Sequence, residues 1–271
     1  MSDALPYPLI ATDLDGTLLT SSETVSDRTA TALAAATAAG AVHIVVTGRS
    51  ATWSRDVFRA MGYTGLAVCG QGAQLYDAGA QQLITSVTLD RQLARLALAK
   101  VEAELGPLAV AADRDGLDGD VVAGPGFQLL NTSDLPVVRA TDSDELWACP
   151  ISKLYIQHPH LSDDALADAA RSAVGGLVSV VMAGRSVVEI LPLGLSKATG
   201  LSIAARRLGI AAAGTIAFGD MPNDLPMFRW AGHGVAMANA HPRLRAVADE
   251  VTASNDEDGV ALVLERLHHA R

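Results

Sequence analysis

Asp13, Asp15, Thr47 and Asp220 are the residues whose type and setting could do chemistry. Each stands where a short apolar run gives way to polar residues: Asp13 and Asp15 after Pro8 to Thr12, Thr47 after Ala41 to Val46, and Asp220 after Gly214 to Phe218. If those runs are strands of one parallel sheet, the four residues meet at its carboxyl edge, where open α/β folds bind ligands. Carboxylates sharing one crevice repel each other, so the arrangement calls for a cation. Oxygen donors with no His or Cys beside them favour a hard ion, Mg²⁺ before Ca²⁺, with phosphate and water completing the shell. Lys197 is a second anomaly, because it follows Ser196, the expected N-cap of a helix, where the helix dipole disfavours a cation. A bound anion removes that conflict. The helix N-terminus, the Thr47 hydroxyl and the Gly48 amide together suit the three oxygens of a phosphate.

The elements that must carry these residues follow a βαβ rhythm. Ser26 is the expected N-cap of a helix over Asp27 to Ala39, closed by Gly40. A helix with Phe58 and Met61 follows, then strands near Leu66 to Cys69 and Ala73 to Tyr76. From Leu83 to Leu191 the texture changes. A helix is predicted over Asp90 to Leu105, a Gly/Asp-rich stretch over Asp113 to Gly126, a strand over Ser152 to Gln157 and a helix over Ser162 to Val174. Val178 to Met182 and Val187 to Leu191 then read as a hairpin, which marks an antiparallel layer. After Pro192 the βαβ rhythm resumes with a helix to Leu208, short strands at Gly234 to Met237 and Glu250 to Thr252, and helices over Pro242 to Ala248 and Asp256 to His268. The expected fold class is α/β: a Rossmann-like doubly wound parallel-sheet core over residues 1–82 and 192–271, with an α+β domain inserted over 83–191.

Composition limits the functions available. A chain of 271 residues with 49% hydrophobic and 18% charged side chains is globular, which excludes fibrous and disordered architectures. Its net charge is −10, and its basic residues are scattered singly, so no positive stripe exists to hold a nucleic acid. Cys69 and Cys149 lie in apolar stretches without ligand spacing and read as small buried side chains in a reducing compartment. The segment Met1 to Tyr7 has no basic residue before an apolar run, and no run reaches the ~18 apolar residues of a membrane span. The expected address is the cytoplasm, without membrane partners; no oligomeric state is specified.

Four motifs now combine. DLDGTLL at Asp13 to Leu19, TGR at Thr47 to Arg49, Lys197, and GDMPND at Gly219 to Asp224 occur in the order and strand context of the haloacid dehalogenase-like phosphatases. Over essentially its whole length the chain resembles their Cof-type branch, including SNDEDGVA at Ser254 to Ala261. The resemblance implies that Asp13 is a nucleophile forming an aspartyl phosphate and that Asp15 is the general acid and base. It implies Mg²⁺ held by Asp13, the backbone carbonyl of Asp15, Asp220 and, through water, Asp224. It further implies phosphate contacts from Thr47, Gly48, Lys197 and Asn223. Asn223 or Asp224 would also serve as a helix N-cap, and Arg49 reads equally as a substrate contact or an ion-pair partner.

Two departures from the family pattern stand out: Ala198 follows the motif lysine where Gly is common, and Gln71-Gly72-Ala73 replaces a frequent Asn-Gly-Ala. Between Asp15 and Thr47 there is room for one helix, so the insertion falls after the second motif. That position resembles the α/β-capped group acting on small phosphomonoesters, sugar phosphates or phosphorylated cofactors. Gln128, Asn131, His158 and Arg185 are candidate readers of the leaving group, or simply solvated loop residues. The competing readings are a phosphomannomutase-like phosphotransferase and a non-catalytic phosphosugar-binding module.

Overall fold

The computed structural model describes residues 6–128, 137–184 and 187–269. The first stretch contains β1 (Leu9–Thr12), α1 (Asp27–Ala38), β2 (Val42–Val46), α2 (Ala51–Ala60), β3 (Leu66–Cys69), β4 (Gln74–Asp77) and β5 (Gln82–Ser86). Residues 91–191 hold α3 (Arg91–Leu105), β6 (Ala109–Arg114), β7 (Val121–Ala123), β8 (Val137–Arg139), β9 (Ile151–Gln157), α4 (Asp163–Val174), β10 (Ser179–Gly184) and β11 (Val187–Leu191). The third holds α5 (Lys197–Arg207), β12 (Thr215–Gly219), α6 (Leu225–Trp230), β13 (His233–Ala236), α7 (Pro242–Arg245), β14 (Glu250–Val251) and α8 (Gly259–His269).

The larger sheet runs β14-β13-β12-β1-β2-β3-β4-β5, parallel from β14 to β3 and antiparallel beyond. Every residue of β1 and β12 is buried, as strands covered on both faces must be. Helices supply that cover, α1 packing against α8 and α5 against α6. From β1 the chain builds outward to β2 and β3 on one side, and it returns through β12 to β13 and β14 on the other. This reversal beside β1 creates the crevice in which such sheets bind ligands.

The second sheet runs β10-β11-β9-β6-β7-β8 and is antiparallel except at β7 and β8. One face buries Val110, Ala112, Leu154, Ile156, Val188 and Ile190 together with Ala97 of α3 and Leu166 of α4. Separate apolar clusters therefore underlie the two sheets, and a smaller one of Ala111, Val121, Ala123, Phe127 and Tyr155 lies on the second sheet's other face.

Several expectations are corrected. The boundary at Leu83 falls inside β5, which pairs with β4 at the edge of the larger sheet, so the second layer begins after Ser86. The Gly/Asp-rich stretch Asp113 to Gly126 takes in the end of β6 and all of β7, strands too short and too rich in alanine to show alternation. The last helix starts at Gly259 rather than Asp256, because Asp258 adopts a left-handed conformation with φ of 58°. The helix beginning at Pro242 ends at Arg245. Cys69 is buried as expected, but Cys149 is exposed. Asn131 and Arg185 lie outside the described residues. Among the described residues no helix is long and apolar enough to cross a membrane.

Candidate active site

The crevice is built by the turn that follows β1. The Asp13 amide continues the sheet by donating to the Phe218 carbonyl at 2.9 Å, and Leu14 then donates its amide to Asp13 Oδ1 at 2.6 Å. Gly16 has φ of +70°, and a Cβ there would lie 2.5 Å from Asp220 Oδ2. Only glycine lets this turn close on the opposite strand's carboxylate. Thr17 donates its hydroxyl to Asp220 Oδ1 at 3.0 Å and fixes that side chain's orientation.

Lys197 stands at the first position of α5, after Ser196, whose hydroxyl accepts from the Thr199 amide as expected of an N-cap. Its ammonium lies 2.7 Å from Asp13 Oδ1 and 2.7 Å from Asp224 Oδ1, fully buried between them. The cation at a helix N-terminus is thus held by two carboxylates. Burial disfavours the ammonium, but Asp13 and Asp224 outweigh it and hold the Lys197 pKa above its usual value. Burial pushes the Asp13 carboxyl well above the ordinary carboxylate range, with Lys197 opposing and Asp224 and Asp220 adding to the rise. Asp220 is pushed up to about 7, first by burial and then by the Asp224 charge.

Asp13, Asp220 and Asp224 each offer an oxygen within 4.8 Å of the others, and all three are buried. Ionised, they set three negative charges against the single charge of Lys197. A divalent cation closes that difference, and an all-oxygen donor set suits a hard one. The cluster therefore fits the ion that the sequence implies. The Asp15 side chain is not in it.

Asp15 points elsewhere. Arg49 grips its carboxylate with Nε at 2.9 Å from Oδ2 and with a further short contact from Nη2 to Oδ1, and the guanidinium lies 4.4 Å from the Trp53 ring centroid. Arg49 is thus an ion-pair partner of Asp15. Asp15 remains half-exposed, whereas Arg49 is buried. Thr47 is fully buried and accepts the Arg49 amide on its hydroxyl at 3.0 Å.

Asp224 is not a side-chain cap of α6. Its Oδ2 reaches back to the amides of Asp220 and Met221, each at 3.0 Å, so it clamps its own loop while Oδ1 faces Lys197. Asn223 donates to Gln71 Oε1 at 3.1 Å, leaving Asn223 Oδ1 and Gln71 Nε2 buried without partners. Gln71, at the departure from the family pattern, thus joins the site through Asn223. The neighbouring Gly72 has φ of +101°, and a Cβ there would strike the Ser196 carbonyl, so this loop can seat the start of α5 only with glycine.

Other contributors lie outside the four motifs. Asn239 donates to the Gly16 carbonyl at 2.8 Å, and Asn255 donates to the Leu19 carbonyl at 2.9 Å. The segment SNDEDGVA therefore pins the turn after β1 rather than touching the crevice. Two polar residues in turns carry no periodicity signal, and only the segment's likeness to the family marked it. Gln128 is exposed, and His158 is engaged with the Leu105 carbonyl and the amides of His160 and Leu161. His158 thus organises the entry to α4.

An acidic crevice at the reversal point of a mainly parallel sheet, closed by a lysine from a later helix, places the protein among the doubly wound α/β proteins. Residues 10–264 match the haloacid dehalogenase-like hydrolases, and the chain belongs to that family. It is 29% identical over 275 residues to 5-amino-6-(5-phospho-D-ribitylamino)uracil phosphatase YitU of Bacillus subtilis, covering 96% of each chain. A solved haloacid dehalogenase-like hydrolase from B. subtilis matches with a TM-score of 0.83 at 26% identity, covering 96% of this chain and 99% of that one. The chain is also 27% identical over 266 residues to a protein of Arabidopsis thaliana named chloroplastic endoribonuclease YBEY, but spans only 45% of that protein's length.

Proposed function

We propose that the protein is a Mg²⁺-dependent phosphatase of small phosphomonoesters, acting in the cytoplasm, with the second sheet and its helices forming a cap over the crevice. The observation that carries this reading is the convergence of Asp13, Asp220, Asp224 and Lys197 within one buried cluster. Asp13, Asp220 and Asp224 would hold the ion, which supplies charge neutralisation for the transferring phosphoryl group. Lys197 adds a fixed positive charge, and the Thr47 hydroxyl, the Gly48 amide and Asn223 orient the phosphoryl oxygens.

An Asp13 oxygen attacks phosphorus, the bond to the leaving oxygen breaks, and Asp15 donates a proton to that oxygen. Water then attacks the aspartyl phosphate and gives its proton to Asp15, which regenerates Asp13 and releases inorganic phosphate. Asp15 must exchange the Arg49 fork for the leaving oxygen when substrate binds. Its exposed position, with the carboxylate beside but outside the metal cluster, leaves it free to do so. Purified protein with Mg²⁺ should release inorganic phosphate from a panel of phosphomonoesters. Transfer of the phosphoryl group to a sugar hydroxyl instead would identify a mutase, and binding without turnover would identify a non-catalytic module.

Replacing Asp15 by Asn should slow turnover by ~10²–10⁴-fold with alkyl phosphates. A nitrophenyl ester needs less protonation, so its first step should be partly spared and phosphoenzyme should accumulate. Equal losses for both esters with no trapped phosphoenzyme would remove Asp15 from the acid role.

Chelation should abolish turnover and lower the melting temperature. Returning Mg²⁺ at about 100 times its Kd should restore roughly 2.7 kcal/mol. Ca²⁺ should restore the melting temperature but little turnover, since its longer bonds and looser geometry misplace the phosphoryl group. A melting temperature and rate indifferent to chelation would show that the carboxylate cluster binds no metal.

A further inference from the structure

Asp113, Lys153, Tyr155 and Glu189 are each more than nine-tenths buried, yet none belongs to the crevice motifs. They come from β6, β9 and β11, neighbours in the second sheet, where Asp113 is paired with Lys153 and Tyr155 with Glu189. Their face is opposite the one packed on α3 and α4, since Ala112, Leu154, Ile156, Val188 and Ile190 alternate with them along the strands. Lys153 links this face to the crevice: its Nζ donates to the Gly48 carbonyl at 2.7 Å, next to Thr47, and to Glu189 Oε1 at 2.5 Å, while Tyr155 packs on Phe127. Tyr155 donates its hydroxyl to Asp113 Oδ2 at 3.2 Å.

Two acceptors are left over. Asp113 Oδ1 and Glu189 Oε2 are buried and without a hydrogen-bond partner. Buried carboxylate oxygens left unpaired are destabilising, so their persistence points to a ligand that completes them. Two carboxylates against one ammonium also leave this wall anionic. Burial, partly opposed by Lys153, pushes Asp113 up to about 6, which leaves it mainly ionised at neutral pH. Resting on the phosphatase reading above, we propose that Asp113 Oδ1 and Glu189 Oε2 accept hydrogen bonds from O–H or N–H groups of the leaving group. The substrate is then a phosphomonoester of a polyol or of an amino-bearing compound, and esters carrying a second anionic group are excluded. A carboxylate can only accept, so it discriminates donors from acceptors by chemistry and not merely by size.

The test compares kcat/KM of the Mg²⁺-loaded protein for ester pairs matched in size. Ribitol 5-phosphate is set against pentyl phosphate and glucosamine 6-phosphate against cyclohexylmethyl phosphate, with fructose 1,6-bisphosphate as the anionic member. The wild-type protein should prefer the donor-bearing ester of each pair by at least about tenfold, mainly through KM, and should act poorly on the bisphosphate. Asp113→Asn retains an acceptor for Tyr155 but turns an amide donor toward the ligand. This variant and Glu189→Gln should each lower the preference ratio about tenfold. A purely structural role would lower both members of a pair alike. A wild-type protein that hydrolyses both esters of each pair without preference, or a ratio unchanged in both variants, overturns the proposal and leaves the phosphatase reading standing. Absence of phosphate release from every ester overturns both.

Discussion

Phosphate release by the Asp13→Asn protein is expected to fall by more than about 10⁴-fold, the scale on which loss of a catalytic nucleophile acts. The amide cannot form the acyl phosphate, and it also withdraws one of the three oxygens that face each other beside Lys197. The fold should survive, because the substitution keeps the side-chain volume and an acceptor for the Leu14 amide. Without metal, the variant should melt no lower than wild type, since one member of a mutually repelling trio has become neutral. A rate within tenfold of wild type would remove Asp13 from the nucleophile's role.

Lys197→Met is expected to have the largest effect on stability. The ammonium bridges Asp13 and Asp224 with no exposed surface of its own. Its loss leaves two buried carboxylates uncompensated, a change that costs ~3–5 kcal/mol where one partner of a buried pair is removed. Turnover should be lost as well. Thermal melts with and without Mg²⁺ separate the two effects, because the ion should raise the variant's melting temperature by more than it raises that of wild type. Equal melting temperatures for the two metal-free proteins would show that Lys197 does not hold the cluster together.

How much of this was legible in the sequence depended on how local the signal was. Ser26 and Ser196 both cap the helices expected of them, because a hydroxyl before an apolar-periodic segment satisfies the helix's own first amides. The convergence of Asp13, Thr47 and Asp220 was readable too, since each stands at the end of a buried parallel strand. The second sheet was less transparent. In β9, Lys153, Tyr155 and Gln157 alternate with Leu154 and Ile156, which is the pattern of a strand with one solvated face. Lys153 and Tyr155 are nevertheless buried: Lys153 reaches the loop carrying Gly48, a contact more than a hundred residues away in sequence, and Tyr155 packs against Phe127. Asp15 shows the same limit within a motif: its place in DLDGT says nothing of the grip by Arg49, which depends on how the second strand's loop lies beside the first.

The central position of β1 has a bearing on how the chain is made. β1 leaves the ribosome well ahead of its partner β12, which follows only at Thr215–Gly219. At ~5–20 residues per second, some 200 intervening residues take roughly 10 to 40 s to synthesise. Throughout that interval β1, completely apolar but for Thr12, has one hydrogen-bonding edge unpaired. The segment from α3 to β11 is contiguous and has an apolar cluster of its own, so it can collapse meanwhile. Nascent chains halted before Thr215 should therefore recruit chaperones, which would be seen by isolating stalled chains with their bound factors. The same strand order that places Asp13 beside Asp220 thus keeps the crevice from forming until β12 has been made, and the growing polypeptide stays sticky until then.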